Sequence, residues 1–132
     1  MKIDLQMKKF FVLAGMFLSV ACFSQTTNGD AIVSALKAGD ATQFSSYFDN
    51  FVDIKLPEKD EIKNVGKTQA SVTMKSFFSE SSITGFDETS RRELSGTMYL
   101  TGKLKSASKD YNITLMMKNK SDKMQIITIR IN

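Results

Sequence analysis

Apolar and polar residues alternate along this chain with two different periods, and the changes of period fall at turn-forming residues. After a polar stretch at residues 25–29, Asp30 stands where a helix N-cap is expected. Ile32, Val33 and Leu36 follow at helical spacing until Gly39 stops the run. Asp40 then caps a second short helix, in which Phe44, Tyr47 and Phe48 fall at i, i+3 and i+4 on one face. The period next shortens to two. Val52, Ile54 and Leu56 point one way with Asp53 and Lys55 between them, a half-buried strand that Pro57 ends. Residues 58–60 make a charged turn, and residues 61–65 a short returning strand whose main apolar residue is Ile62.

Gly66 opens the longest helix, residues 67–79, where Ala70, Met74, Phe77 and Phe78 recur at i, i+4, i+7 and i+8. Such an amphipathic helix needs a sheet to lie on. The rest of the chain reads as strands. Residues 83–92 are polar, as an edge strand would be. Residues 94–104 carry Met98, Leu100 and Leu104, with Gly96 and Gly102 marking expected bulges or bends. Tyr111, Ile113, Leu115 and Met117 alternate on the next strand, and Ile127, Ile129 and Ile131 on the last. Closing strands joined by short turns imply an antiparallel arrangement. The expectation is an α+β domain: a curved antiparallel sheet of four to six strands packed on the long helix, with two short N-terminal helices. A sheet curved round a helix leaves a cone with an open mouth.

The N-terminus follows a different logic. Lys8 and Lys9 precede residues 10–23, a nearly continuous apolar run with small residues at its far end, which is the layout of a secretory signal peptide. Fourteen residues fall short of the roughly 20 that a spanning helix wants. Asp4 sits badly in a basic leader, so the start is either Met1 or Met7. Cleavage after Ser24 would place small Cys22 and Ser24 at the recognised positions. The alternative is lipidation of Cys22, for which Leu18 stands one place too early. The expected organisation is residues 1–24 as signal peptide, 25–29 as a flexible tail and 30–132 as one domain. The mature protein would be exported, periplasmic or extracellular, with lipid anchoring through Cys22 as the other reading and no membrane span after signal removal.

Composition narrows the chemistry. Removing Lys2, Lys8, Lys9 and Asp4 from 18 basic and 14 acidic residues leaves 15 and 13, a net charge of +2. That is too little to suggest a nucleic-acid partner. The chain has no histidine and one cysteine, Cys22, which leaves with the leader in the first reading. Zinc or copper sites of the usual kind, and Ser-His or Cys-His catalysis, lack their residues. Glu58, Asp60 and Glu61 do not have the spacing of a calcium loop. Gly66-Lys67-Thr68 resembles the end of a phosphate-binding loop, but Glu61 stands where that loop needs a glycine. No cofactor is expected.

The stretches 30–39 (DAIVSALKAG), Tyr47-Phe48-Asp49, Lys67-Thr68-Gln69-Ala70 leading to Phe77-Phe78, and the closing hairpin to Ile131 resemble the bacterial domain-of-unknown-function family 4783. The element order resembles the nuclear transport factor two-like, or cystatin-like, superfold. The resemblance implies an exported cone-shaped domain and supplies no catalytic residues. Steroid isomerases of that superfold use a pocket tyrosine with pocket carboxylates. Here the tyrosines are Tyr47, Tyr99 and Tyr111, and no carboxylate stands among the inward positions.

Fold alone does not settle function. Phe44, Tyr47, Phe48, Met74, Phe77, Phe78, Met98 and Met117 are large apolar groups that either fill the core or line a cavity for an apolar ligand. The first functional expectation is therefore a non-catalytic binding module for a small apolar or amphiphilic molecule. The second is an interaction module that pairs with itself or with a cell-envelope protein. An enzyme is the third, with the usual general bases missing.

Overall fold

The computed structural model describes residues 28–132. The signal segment, Met7, Cys22 and the cleavage site lie outside the described residues. The chain runs α1 (Asn28–Lys37), α2 (Ala41–Ser45), β1 (Phe48–Lys55), β2 (Ile62–Gly66), α3 (Lys67–Glu80), β3 (Ile83–Leu94), β4 (Thr97–Ser106), β5 (Asp110–Lys120) and β6 (Lys123–Ile131). The six strands form one sheet in the order β2-β1-β6-β5-β4-β3. The architecture is the expected α+β one.

One pair departs from the antiparallel expectation: β1 and β6 run parallel. The cause is topological. The β1–β2 hairpin forms one side of the sheet, α3 carries the chain across, and β3 to β6 return as a meander. The last strand then meets β1 in the same direction. Hairpin chemistry sets the other registers. Ser95 (φ 50°) and Gly96 (φ 80°) make the two-residue β3–β4 turn, and Ser121 (φ 51°) and Asp122 (φ 62°) the β5–β6 turn. Positive φ at both central residues matches the right-handed twist of the flanking strands. Gly96 is thus the expected bend, in the turn between two strands. Gly102 does lie within a strand, for a steric reason. A Cβ there would come within 2.4 Å of the Phe86 ring and of the Asp87 carbonyl oxygen.

α3 packs on α2 and β1, while α1 packs on β3 and α2. Helical spacing on α3 buries Ala70, Met74, Phe77 and Phe78, as the period predicts. They meet Leu100, Leu104, Ile113, Leu115, Ile126 and Ile129 from the concave face of the sheet. Asp40 caps α2 as expected, its carboxylate accepting from the Gln43 amide at 3.0 Å. Asp30 does not cap α1. Asn28 and Gly29, read from the sequence as tail, are already helical. Asp30 lies in the first turn and accepts from Arg91 Nη1 at 2.9 Å, with Glu88 on the same guanidinium, tying α1 to the edge strand β3.

The last strand also differs from simple alternation. The register slips between Met116↔Thr128 and Met117↔Ile126, leaving Ile127 as the extra residue of a bulge. Ile126 and Ile129 are therefore both buried, and Ile127 is not.

Candidate functional site

Seven of the eight large apolar residues expected to fill the core or line a cavity pack into the core. Phe44, Phe48, Met74, Phe77, Phe78, Met98 and Met117 are all at most 9% exposed. Their rings interlock. Phe44 meets Phe48 edge-on with centroids 5.2 Å apart and stacks on Phe78 at 5.9 Å. Phe48 belongs to β1 rather than to a helix, because α2 ends at Ser45 and the Tyr47 carbonyl accepts from the Ile126 amide of β6 at 2.8 Å. Tyr47, the eighth, borders a separate depression of about 210 Å³ with Ser46, Lys123, Met124 and Gln125. The one buried polar residue among those described, Ser45, spends its hydroxyl on the Ala41 carbonyl.

Concave space lies instead at one end of the cone. There β1 ends, β5 begins and α3 finishes. A cleft of about 440 Å³ opens between them, with Leu56, Val72, Phe77 and Tyr111 as its apolar groups. A smaller pocket of about 140 Å³ continues from it between the β1–β2 arm and α3. Ile54, Leu56, Ile62 and Val65 line this pocket on the sheet side, with Lys59 and Asp60 from the turn and Gln69 and Thr73 from the helix. The two share Leu56, Lys59, Gln69 and Thr73, so they adjoin. Phe77 is the hinge between core and cleft. It touches Phe78 inside (6.3 Å) and Tyr111 at the rim (5.4 Å, edge-on), and the Lys109 ammonium lies over the Tyr111 ring at 4.8 Å.

Two features put the cleft there. β1 ends at Lys55, two residues before Pro57, and the turn that contains Pro57 holds Glu58 at φ 62°, which swings the charged residues to the rim. The β2 strand has five residues and stands at the sheet edge, so nothing covers Ile62, which pairs with core-facing Ile54 yet is 61% exposed. The strand read from the sequence as resting on Ile62 is held inward by Val65 instead.

The charged motifs are structural partners. Asp87 and Asp110 both meet Lys105, Glu61 meets Arg130, and Lys120 pairs with Asp49. The Asp49 carboxyl is held below its ordinary pKa chiefly by the hydrogen bond from Lys120, with burial opposing. The Arg91 guanidinium is pushed further up by its bonds to Glu88, against some burial, and by Asp30. No group of three or more acidic, histidine or cysteine side chains among the described residues is arranged to hold a metal. No helix among them is long and apolar enough to cross a membrane.

With the helix-on-curved-sheet geometry described, the likeness to known proteins takes on meaning. The sequence matches the family described as Domain of unknown function (DUF4783) over residues 29–132. The chain belongs to the DUF4783 family. A DUF4783 structure from Bacteroides uniformis superimposes with a TM-score of 0.72 at 22% identity, covering 78% of this chain and 94% of that one. An uncharacterized cystatin fold protein from Novosphingobium aromaticivorans gives 0.59 at 11% identity, over 81% and 98%. An NTF-2 like protein of unknown function from Burkholderia xenovorans gives 0.60 at 12%, over 80% and 78%. At these identities the likeness is one of fold. The sequence matches no curated protein. The DUF4783 domain here is thus a cystatin-like, NTF2-like cone whose interior is filled and whose mouth is open.

Proposed function

We propose that this protein is an exported, non-catalytic binding module that holds a small apolar or amphiphilic molecule in the cleft at the mouth of its cone. The observation that carries this reading is that the cleft adjoins the pocket beneath Ile62, with Leu56, Lys59, Gln69 and Thr73 bordering both. A volume of about 440 Å³ lies within the usual range of small-molecule sites, roughly 300–1,000 Å³. Its inner end is apolar and its rim charged, the profile an amphiphile matches. Export rests on the leader at residues 1–24.

Native mass spectrometry of the protein isolated from the producing bacterium, compared with its denatured mass, tests the reading. A small-molecule mass lost on denaturation is the expected result. A bare monomer with no affinity for apolar fluorescent probes would contradict it. The denatured mass also reports whether the chain starts at Gln25 or carries lipid on Cys22.

A second reading draws on the other face of the sheet. All three helices lie on the concave side, so Tyr99 and Met116, cross-strand neighbours on β4 and β5, face outward, as does Phe51, 62% exposed. Such a face suits a protein partner, either a second copy or an envelope protein. It predicts a mass that doubles or gains a protein, where the first reading predicts a gain of small-molecule size.

A further inference from the structure

The rim of the cleft carries information about the ligand's charge. Asp60 borders the pocket beneath Ile62, and four ionised side chains line the cleft itself: Glu58 and Lys59 from the β1–β2 turn, Glu80 from the last turn of α3, and Lys109 from the turn before β5. They come from three separate parts of the chain, two of each sign. The ion pairs among the described residues all lie elsewhere, and none of these four takes part in one. Lys109 rests on the Tyr111 ring, the others face solvent or the cleft.

A monovalent anion entering this rim meets two carboxylates along with two ammonium groups, and its gains and losses largely cancel. A cation is in the same position. A neutral apolar molecule covers the inner pocket but finds no partner for the rim. A ligand carrying both signs can set each beside its opposite, and charge-assisted hydrogen bonds are about twice as strong as neutral ones. Electrostatic complementarity of this kind governs selectivity more than raw affinity. The inner pocket, with Ile54, Ile62 and Val65 inside and Lys59 and Asp60 on its border, takes an apolar group of modest size.

We infer that the ligand of this cleft is a zwitterion with an apolar chain. Its two charges meet the mixed rim of Glu58, Lys59, Glu80 and Lys109, and its apolar part occupies the pocket beneath Ile62. This inference rests on the cleft being the binding site. Two sources share the chemistry, a short apolar peptide with free termini and a zwitterionic lipid headgroup.

Isothermal titration with five probes tests it: leucyl-leucine, its N-acetyl and its amide forms, octanoate, and dodecylphosphocholine below its micelle concentration. The expected result is that leucyl-leucine or dodecylphosphocholine binds at least about tenfold more tightly than the three singly charged probes. Whichever of the two binds names the source. That preference is expected to shrink to within about threefold in Glu80→Gln and Lys109→Met, both at exposed positions, with folding checked by circular dichroism. Equal binding of all five probes, or tightest binding of octanoate, overturns the zwitterion while leaving the cleft as a site. No binding by any probe, together with no binding of 8-anilinonaphthalene-1-sulfonate, overturns both.

Discussion

The interior of the cone and its mouth share the same two walls, α3 and the concave face of the sheet, yet they do different things. Inside, Phe44, Met74 and Phe78 from the helices meet Leu100, Leu115 and Ile129 from the strands, and each fills the gap left by its neighbours. At the mouth the walls diverge. α3 there presents Gln69, Val72, Thr73 and Ser76, the sheet presents Leu56, Ile62 and Tyr111, and the space between stays open. The change occurs within a few residues, because Phe77 faces both. An inventory of large apolar side chains therefore finds the core. The cleft is marked by apolar groups that the fold leaves without a covering layer.

Breaking the interior should have the largest effect. Phe44→Ala removes a ring that contacts both Phe48 and Phe78, and should cost about 3–5 kcal/mol of stability. Urea denaturation followed by circular dichroism measures it. A loss under 1 kcal/mol would mean that the aromatic cluster is not tightly packed.

Next is Gly102→Ala. The added methyl collides with the Phe86 ring and with the Asp87 carbonyl oxygen, and should destabilise by about 1–3 kcal/mol. Adding Phe86→Leu should recover only part of that, since the backbone contact remains. Full recovery would show that the ring alone demands the glycine.

The mouth should respond in the opposite way. Val72→Asp alters a residue already 51% exposed, so stability should stay within about 0.5 kcal/mol. Binding of an apolar fluorescent probe should nonetheless weaken about tenfold, a change of roughly 1.4 kcal/mol. Unchanged binding would place the probe elsewhere.

The smallest effect concerns a pair remote from the cleft. Asp49→Asn removes the carboxylate that Lys120 holds; Lys120 is half exposed and Asp49 largely covered, and such a pair contributes on the order of 1 kcal/mol. The sign with pH is fixed. The Asp49 carboxyl titrates lower in the folded protein than in the unfolded chain. Its contribution is complete above the ordinary carboxyl value of about 3.9 and fades as pH falls through the lower folded value. Thermal melts between pH 2 and 6 should show a shallower acid loss in the variant than in the parent.

Periodicity carried most of the fold. The face of α3, the cap at Asp40, and the inward sets on β4 and β5 all follow from spacing alone, because burial on one side of a helix or strand imposes it. What periodicity could not carry are features set by distant neighbours. Asp30 bonds Arg91 of β3 instead of capping α1, and the parallel β1–β6 pair follows from the order in which the meander returns. The bulge at Ile127 breaks the alternation locally, and only the pairing with Met116 and Met117 reveals it. The cleft was the least legible. Leu56, Val72, Lys109 and Tyr111 are scattered along the chain, and none carries a motif. The one usable hint was Pro57 followed by a charged turn, which marks where a strand stops short of its neighbours.

The central claim is that small molecules bind at the mouth and not within the cone or on the outer sheet face. Backbone amide NMR during titration with 8-anilinonaphthalene-1-sulfonate tests it directly. The account predicts saturable shifts at Lys59, Thr73, Ser76 and Tyr111, with Leu100 and Leu115 unmoved. Shifts confined to Tyr99, Met116 and Phe51 would contradict it and move the site to the open face of the sheet.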